Sequence, residues 1–258
     1  MIICFGIQKS WTWTWQTKMS ELIHLISGPR NISTALMYSF DSRGDTTVLD
    51  EPMYAVYLDQ HDVDHPGKED ILNSQSRDID RVIQDVFLKN YETDYVFIKN
   101  MAHHFIDVDP RFIYDFRNLF LIRDPKQLIC SFSQVIQNPT MQDIGLEHEY
   151  ILYLDVLAKS KYKPIVLDSN DILSDPEGML KALCKQLNIS YTTKMLEWEA
   201  GPIDADGIWA KYWYKNVHQS TGFKKQQAKE RELPAHLEKL YEKAKYYYDK
   251  LSEAAIKP

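Results

Sequence analysis

The chain has 258 residues, of which 44% are hydrophobic and 26% charged, and this composition excludes a disordered, collagen-like or simple coiled-coil protein. Its formal net charge of −7 gives no general attraction for nucleic acid or for an anionic membrane, so a polyanion site must be a local basic cluster. The three cysteines, Cys4, Cys130 and Cys184, lie far apart without a CxxC pair. This spacing argues against a disulfide framework or a thiolate zinc site and predicts a reduced, cytoplasmic protein.

The first 18 residues differ from the rest of the chain. They combine a short apolar start with alternating Trp and Thr, without the long apolar core and small-residue cleavage site of a signal peptide. We interpret residues 1–18 as an appendage, with an extra edge strand formed by the Trp/Thr alternation as the alternative. The sequence has no run of about 18 apolar residues that could span a bilayer, so we expect a soluble protein without a membrane partner.

From residue 21 onward, short apolar runs alternate with longer amphipathic segments, which is the pattern of a parallel sheet with crossover helices. The predicted strands are 22–27, 46–49, 95–98, 119–122 and 164–167. The predicted helices are 33–42, 68–88, 126–137, 146–160 and 176–187, with a further amphipathic helix after residue 234. Because the strands are almost entirely apolar, both faces of the sheet should be buried. We predict one α/β domain over 19–232, a three-layer sandwich with a mainly parallel sheet, and a C-terminal helix over 233–258 packed on it.

The segment after the first predicted strand has the features of an anion site. A Gly-Pro turn at Gly28 and Pro29 precedes a helix whose first residues are Ser33 and Thr34. Backbone N–H groups and the helix dipole attract anions at such a position, and Arg30 adds a positive charge. The segment lacks the Gly-Lys-Ser/Thr ending of a nucleotide-hydrolase phosphate loop, which argues against ATP or GTP hydrolysis. An ordinary turn before a capped helix is the alternative interpretation.

A second basic residue ends the fourth predicted strand. Arg123 follows this buried strand, and Ser131 comes eight residues later in the next predicted helix. Ligands of open α/β sheets bind at the carboxyl ends of the strands. We therefore expect Arg123 to lie where a ligand binds.

These two segments together resemble the sulfotransferase family, which transfers a sulfuryl group from 3′-phosphoadenosine 5′-phosphosulfate. Residues 166–189, which contain Asp-Pro-Glu at 175–177, are similar to a third family motif of strand, acidic turn and helix. The motifs at 27–30, 50–52, 98–104 and 213–223 further resemble a branch sometimes labelled branched-chain aminotransferase-like. The resemblance covers about residues 21–225 and implies a P-loop NTPase-like fold.

The resemblance also implies which residues bind the nucleotide. The 5′-phosphosulfate would contact Gly28, Pro29, Arg30, Asn31, Ser33 and Thr34. The 3′-phosphate would contact Arg123 and Ser131. A late loop that closes over the nucleotide would contribute Trp213, His218, Ser220, Gly222, Phe223 and Lys224. Two departures are Ile32, where the family usually has glycine, and Arg30, where it often has lysine; the family requires no metal.

Two positions are candidates for the general base. Glu51 follows a predicted strand and precedes a proline, and some bacterial sulfotransferases use an equivalent glutamate as base. His103 or His104 follows the third predicted strand, where other members place a Lys-x-His pair. Lys99 matches that lysine and would meet the phosphosulfate or Glu51, because an ammonium is seldom buried unpaired. We favour Glu51 and keep both histidines as alternatives.

The sequence therefore predicts a sulfotransferase that acts on the hydroxyl of a small molecule, with residues 54–65 and 138–145 lining the acceptor pocket. One alternative is a nucleotide-dependent kinase on the same fold, which the absence of a Lys-Ser/Thr pair and of a magnesium motif disfavours. The other is a non-catalytic nucleotide-binding protein, against which the combination of Glu51, Lys99 and Arg30 argues.

Overall fold

The computed structural model describes residues 19–223 and 232–258. The predicted appendage at residues 1–18 lies outside the described residues, as does Lys224 of the predicted late loop.

A five-stranded parallel sheet forms the centre of the molecule. Its strands are β1 (Glu21–Ser27), β2 (Thr46–Asp50), β3 (Tyr95–Met101), β4 (Arg117–Ile122) and β5 (Ile165–Asp168). The spatial order is β2-β3-β1-β4-β5, and every neighbouring pair is parallel. Strand side chains alternate between the two faces of a sheet, so Ile23 and Leu25 enter one core whereas Ile26 enters the other.

Helices cover both faces of the sheet. They are α1 (Ser33–Asp41), α2 (Tyr54–Gln60), α3 (Lys68–Ser74), α4 (Ile79–Val82), α5 (Pro125–Phe132), α6 (Met141–Ile144), α7 (Leu146–Lys159), α8 (Ser169–Ser174), α9 (Pro176–Leu187), α10 (Ala210–Trp213), α11 (Lys215–His218) and α12 (Glu238–Ser252). Helices α1 and α9 pack on one face, through residues such as Phe40 and Leu183. Helices α7 and α12 pack on the other, through Val156 and Leu251. The predicted three-layer α/β sandwich with a parallel sheet is confirmed.

The single helix predicted over 68–88 is wrong. The chain forms α3, leaves the helical path at residues 75–78, and resumes as α4 followed by a π-helical turn over Ile83–Phe87. The break has a local cause, because the Asp78 carboxylate accepts hydrogen bonds from the backbone N–H groups of Asp80 and Arg81. Such capping bonds compete with a continuous helix and start a new one. No helix within the two described ranges is both long and apolar enough to cross a membrane.

The residues after α12 reach the outer edge of the sheet. Ala255 forms a parallel bridge with Val166 of β5, and the N–H of Ile256 donates to the carbonyl oxygen of Val166 at 3.0 Å. The Tyr248 hydroxyl donates to Asp168 at 2.6 Å. The edge strand β5 is therefore covered by α12 and by the residues that follow it.

A row of buried polar side chains joins the three central strands β3, β1 and β4 by hydrogen bonds. His24 is fully buried, its Nδ1 lies 3.1 Å from Oδ1 of Asn118, and its Nε2 lies 3.2 Å from Nδ2 of Asn100. These partners require an Nδ1–H donor and an Nε2 acceptor, which is the neutral imidazole. Burial, partly offset by the hydrogen bond to Asn118, lowers the pKa of His24 to about 4.

We predict that stability falls as the pH drops from 6.5 towards 4. In this range an unfolded chain takes up a proton at His24 that the folded chain does not bind, so protonation favours unfolding. At 1.36 kcal/mol per pKa unit, this histidine accounts for a loss of about 3 kcal/mol in unfolding free energy. Urea unfolding of the wild type and of His24→Gln at pH 7.5 and 4.5 measures the effect. The variant should lose less stability between these two pH values, and equal losses would contradict the prediction.

Candidate active site

A cavity opens at the carboxyl ends of β1, β2 and β3. Its empty volume, including the open mouth, is about 620 Å³. The sequence-predicted residues that line it are Pro29, Arg30, Asn31, Ser33, Thr34, Glu51, Lys99, His103, His104 and Trp213, together with Tyr54 and His65 from the segment 54–65 predicted for the acceptor pocket. The predicted anion loop and both kinds of candidate base therefore face one space.

The loop between β1 and α1 has one position of close backbone approach and one with a left-handed backbone. A Cβ atom at Gly28 would lie 2.8 Å from the carbonyl oxygen of Ile144, so only glycine allows this close approach. Arg30 has a left-handed backbone with φ of 55°. Ile32, at the position where glycine was expected from the resemblance, has φ of −83°. This φ is open to any residue, so the loop does not need glycine at position 32 for its conformation.

The N-terminus of α1 receives no side-chain cap from the residues that the structure describes. Asn31, just before the helix, turns its side chain elsewhere: its Nδ2 donates to the carbonyl oxygen of Leu121 at 2.6 Å, and its Oδ1 accepts from the N–H of Ile32 at 2.9 Å. Asn31 thus ties the loop to β4. Uncapped N–H groups at a helix start attract anions, so α1 can hold a phosphate or sulfate at the cavity wall.

Arg123 and Ser131 lie directly beside this loop. Nη1 of Arg123 donates to the backbone carbonyl oxygen of Arg30, and Nε of Arg30 lies 3.4 Å from the Ser131 hydroxyl. The Asp124 carboxylate caps α5 by accepting from the N–H of Gln127 at 2.9 Å, which starts that helix immediately after β4. The two predicted anion-binding segments are therefore in direct contact in the folded protein.

A buried ion cluster forms another part of the cavity wall. Lys99 of β3 is fully buried, and its Nζ donates to Asp50 at 2.7 Å, to Glu51 at 2.5 Å and to the hydroxyl of Tyr214 at 2.7 Å. An ammonium has three hydrogens, so all of its donors are used. Burial acts to lower the pKa of Lys99, but the carboxylates of Asp50 and Glu51 outweigh it and raise that pKa. Lys99 contacts Glu51, one of its two predicted partners.

Glu51 is held in a strained position at the end of β2. Its φ is 44°, its backbone N–H donates to the carbonyl oxygen of Lys99 at 2.7 Å, and its carbonyl oxygen accepts from Nε2 of Gln75 at 3.1 Å. Burial raises the pKa of the Glu51 carboxyl despite the Lys99 ammonium, and Asp50 adds to the increase. A carboxylate with a raised pKa at a cavity wall is suited to accept a proton.

The two histidines differ in their relation to Glu51. Nε2 of His104 lies 3.8 Å from Oε2 of Glu51, while its Nδ1 accepts from the N–H of Met101 at 3.4 Å. His103 packs instead against the ring of Tyr57, with 4.8 Å between ring centroids. Burial lowers the pKa of His103 to about 3 and the pKa of His104 well below its usual value. Both rings are therefore neutral at pH 7.

The predicted late loop divides into two parts. Trp213 lines the cavity, whereas the other described members contact a neighbouring segment. His218 lies 2.8 Å from the Asp206 carboxylate, the Ser220 hydroxyl accepts from the indole of Trp198 at 3.2 Å, and Phe223 packs on the same indole. Gly222 bridges to Glu197. Nucleotide binding by His218, Ser220, Gly222 and Phe223 remains a prediction.

Sequence reasoning missed three residues that organise this site. Asp50 belongs to the motif at 50–52, which assigns it no role, yet its carboxylate accepts hydrogen bonds from Lys99, from Tyr214 and from the N–H of Gly207 at 3.0 Å. Tyr214 lies in the motif at 213–223 and Gln75 in the helix predicted over 68–88, and no local signal in the sequence identifies their long-range partners. A charged lysine in a buried strand did signal that acidic partners must exist.

Comparison with known proteins identifies relatives for most of the chain. A family model described as "Sulfotransferase domain" matches residues 21–255. Two Arabidopsis thaliana proteins, branched-chain-amino-acid aminotransferase-like proteins 1 and 2, are each 37% identical over 204 residues. The alignment covers 79% of this chain but 36% of either relative. The chain thus spans about a third of the curated relatives that it matches.

Two solved structures share the fold. The sulfotransferase domain from the curacin biosynthetic pathway superposes with a TM-score of 0.53 and 13% identity, covering 94% of this chain and 100% of that domain. The sulfotransferase domain from the Synechococcus PCC 7002 olefin synthase superposes with a TM-score of 0.55 and 16% identity. This match covers 93% of this chain and 98% of that domain. At these identities the comparison concerns the arrangement of the elements.

We predict that Lys99→Met strongly destabilises the fold, because it leaves Asp50 and Glu51 buried without a counter-charge. Breaking a buried ion pair from one side costs about 3–5 kcal/mol of unfolding free energy. The matched control is Lys211→Met, since Lys211 pairs with Asp70 at 2.9 Å but both side chains are more than half exposed. The control should lose far less stability, because water and salt screen an exposed ion pair. Urea unfolding at pH 7.5 measures both, and similar losses would show that the cluster is not energetically coupled to folding.

Proposed function

The chain belongs to the sulfotransferase domain family, and on that premise we propose that it transfers a sulfuryl group from 3′-phosphoadenosine 5′-phosphosulfate to a hydroxyl of a small-molecule acceptor. The observation that carries this proposal is the composition of one cavity. Its walls include the uncapped start of α1 with Arg30, which suits an anionic donor, and the Glu51 carboxylate, which suits an acceptor's proton. Both requirements of the transfer are thus within one small-molecule space.

The donor's charges match the basic residues around the loop. Arg30, Ser33 and Thr34 at the cavity wall would hold the 5′-phosphosulfate, while Arg123 and Ser131, which contact Arg30, would hold the 3′-phosphate. When bound, the donor supplies the sulfuryl group: an oxygen–sulfur bond to the acceptor forms, the bond from sulfur to the 5′-phosphate oxygen breaks, and adenosine 3′,5′-bisphosphate leaves. The cation of Arg30 would offset the charge that develops on the leaving phosphate.

Glu51 is the proposed general base. Its Oε1 accepts a hydrogen bond from Lys99 at 2.5 Å. Within the described residues, the one ionisable group recorded near its Oε2 is the ring of His104, which is neutral and lies 3.8 Å away. An acceptor hydroxyl at Oε2 would pass its proton to the carboxylate as its oxygen attacks sulfur. His104 could donate its Nε2–H to the same oxygen, and His103 and His104 stay as alternative bases.

Lys99 would act through Glu51 rather than on the donor. All three of its hydrogens are used by Asp50, Glu51 and Tyr214, so a contact with the phosphosulfate would require one of these bonds to break. Its role in the proposed reaction is to orient the base. The aromatic rings of Tyr54, Phe132 and Trp213 also line the cavity, and they would bind the apolar part of an acceptor.

We predict that the protein binds adenosine 3′,5′-bisphosphate about ten- to a hundred-fold more tightly than adenosine 5′-monophosphate. One charged, hydrogen-bonded phosphate contact contributes about 1.5–3 kcal/mol, which gives this ratio. Isothermal titration calorimetry with and without magnesium measures both affinities. Equal affinities would contradict the assignment of the donor, and a magnesium requirement would favour a kinase.

Arg123→Ala tests the assignment of the 3′-phosphate within the same experiment. Arg123 also donates a hydrogen bond to the backbone of Arg30, so the variant should lower the affinity for both nucleotides. The informative quantity is therefore the ratio of the two affinities. This ratio should fall towards one. Arg111→Ala, at a side chain that is 80% exposed, is the matched control and should leave the ratio unchanged. A wild-type ratio in Arg123→Ala would remove Arg123 from the 3′-phosphate site.

We further predict that Glu51→Gln lowers turnover about 10²- to 10⁴-fold, the usual contribution of a general base, while bisphosphate affinity stays near that of the wild type. Hydrolysis of the phosphosulfate, or transfer to a phenolic surrogate acceptor, serves as the assay. His103→Asn and His104→Asn should each lower turnover less than Glu51→Gln does. Near-normal turnover in Glu51→Gln together with a collapse in one histidine variant would assign the base to that histidine.

A further inference from the structure

Two adjacent carboxylates share one buried ammonium, but their surroundings differ. Both oxygens of Asp50 accept hydrogen bonds, from Lys99 and the Tyr214 hydroxyl and from the N–H of Gly207 at 3.0 Å, and its side chain is fully buried. Glu51 is bonded to Lys99 through Oε1, and its side chain is 8% exposed at the cavity wall. Asp50 is thus enclosed, whereas Glu51 is the member that a ligand can reach.

The charges of the cluster do not balance when both carboxylates are ionised. The oxygens of Asp50 and Glu51 that contact Lys99 lie at 2.7 and 2.5 Å from the same nitrogen, so they fall within the ~4–6 Å range over which like charges raise each other's proton affinity. One ammonium and two carboxylates leave a buried net charge of −1. A proton accepted at Glu51 returns the cluster to neutrality, and a low-dielectric interior favours that change.

We infer that Asp50 is a positioning residue whose enclosed carboxylate pairs with Lys99 and so leaves Glu51 as the proton acceptor of the pair. The inference rests on the proposed function for its catalytic consequence, but the division of roles is a property of the protein alone. Without the charge of Asp50, the Lys99 ammonium would be balanced by Glu51 itself. Glu51 would then hold its negative charge more firmly and become a weaker base.

The other groups around Glu51 are consistent with this division. From β3 it faces Lys99, from the turn at Ala102–Phe105 it faces His104, and from the segment after α10 it faces the Tyr214 hydroxyl at 3.4 Å. Burial raises the pKa of Tyr214 well above its usual value and burial lowers the pKa of His104, so both stay neutral near pH 7. The charged groups of the cluster are therefore Lys99, Asp50 and Glu51.

The test measures the ionisation of Glu51 directly in the full chain labelled with carbon-13 at the glutamate side-chain carboxyl carbons. The Glu51 NMR signal is assigned by its loss in Glu51→Gln. In Asp50→Asn the midpoint of the Glu51 titration should move to lower pH. Tyr214→Phe removes hydrogen bonds to Asp50 and to Glu51 without changing the charge. Asp206→Asn removes a different carboxylate, which pairs with His218 at 2.8 Å. Neither control should lower the midpoint.

A second variant keeps the test decisive if Asp50→Asn does not fold. The double variant Asp50→Asn/Lys99→Met removes both the Asp50 carboxylate and the Lys99 ammonium. Glu51 is then buried without a cation, so the midpoint of its titration should rise above that of the wild type. An unchanged midpoint in Asp50→Asn, an equal shift in Tyr214→Phe, or a lowered midpoint in the double variant would overturn the inference.

The titration needs neither donor nor acceptor, so its outcome is independent of whether the protein transfers a sulfuryl group. Where transfer is measurable, Asp50→Asn should lower kcat about three- to ten-fold, because a weaker base drives proton transfer less well. Its KM for the donor should stay unchanged. Absence of transfer in the wild type would contradict the proposed function while leaving the titration result intact.

Discussion

The buried contact of Lys99 with Asp50 and Glu51 is the interaction on which the site depends. It joins the end of β2 to β3, and through Tyr214 it fixes the segment around α10 that carries Trp213. Apolar residues would often hold such elements together with equal or greater stability, because ions are costly to remove from water. The cluster is therefore better explained by the carboxylate that it presents to the cavity than by its contribution to folding.

The sequence allowed the sheet to be predicted because its strands are buried on both faces and carry an unmistakable apolar pattern. The anion loop could also be predicted, since a turn, a cation and a helix start lie together in the chain. The tie between Asp50 and Tyr214 could not, because it joins residues 164 positions apart and leaves no local pattern. The break before α4 depends on a single cap at Asp78, and the hydrophobic periodicity continues through it.

Two of the four non-glycine residues with left-handed backbone in the described ranges line the cavity. Arg30 and Glu51 both adopt left-handed conformations, which cost about 1–3 kcal/mol each for residues other than glycine. Each is held by specific bonds, Arg30 by the guanidinium of Arg123 and Glu51 by Lys99 and Gln75. A pre-shaped cavity of this kind has less reorganisation to make when a ligand arrives.

The covering of β5 by the residues after α12 has a consequence for the behaviour of the protein in solution. A parallel sheet rich in isoleucine, leucine and valine has an outer edge whose free N–H and carbonyl groups can pair with a strand of another molecule. The bridge from Ala255 to Val166, and the ion pair of Lys257 with Asp171 at 2.5 Å, occupy that edge with the chain's own backbone and place a charge beside it. The residues after α12 thus block intermolecular pairing at β5. Without them, this edge of the sheet would be open to pairing and aggregation with other molecules.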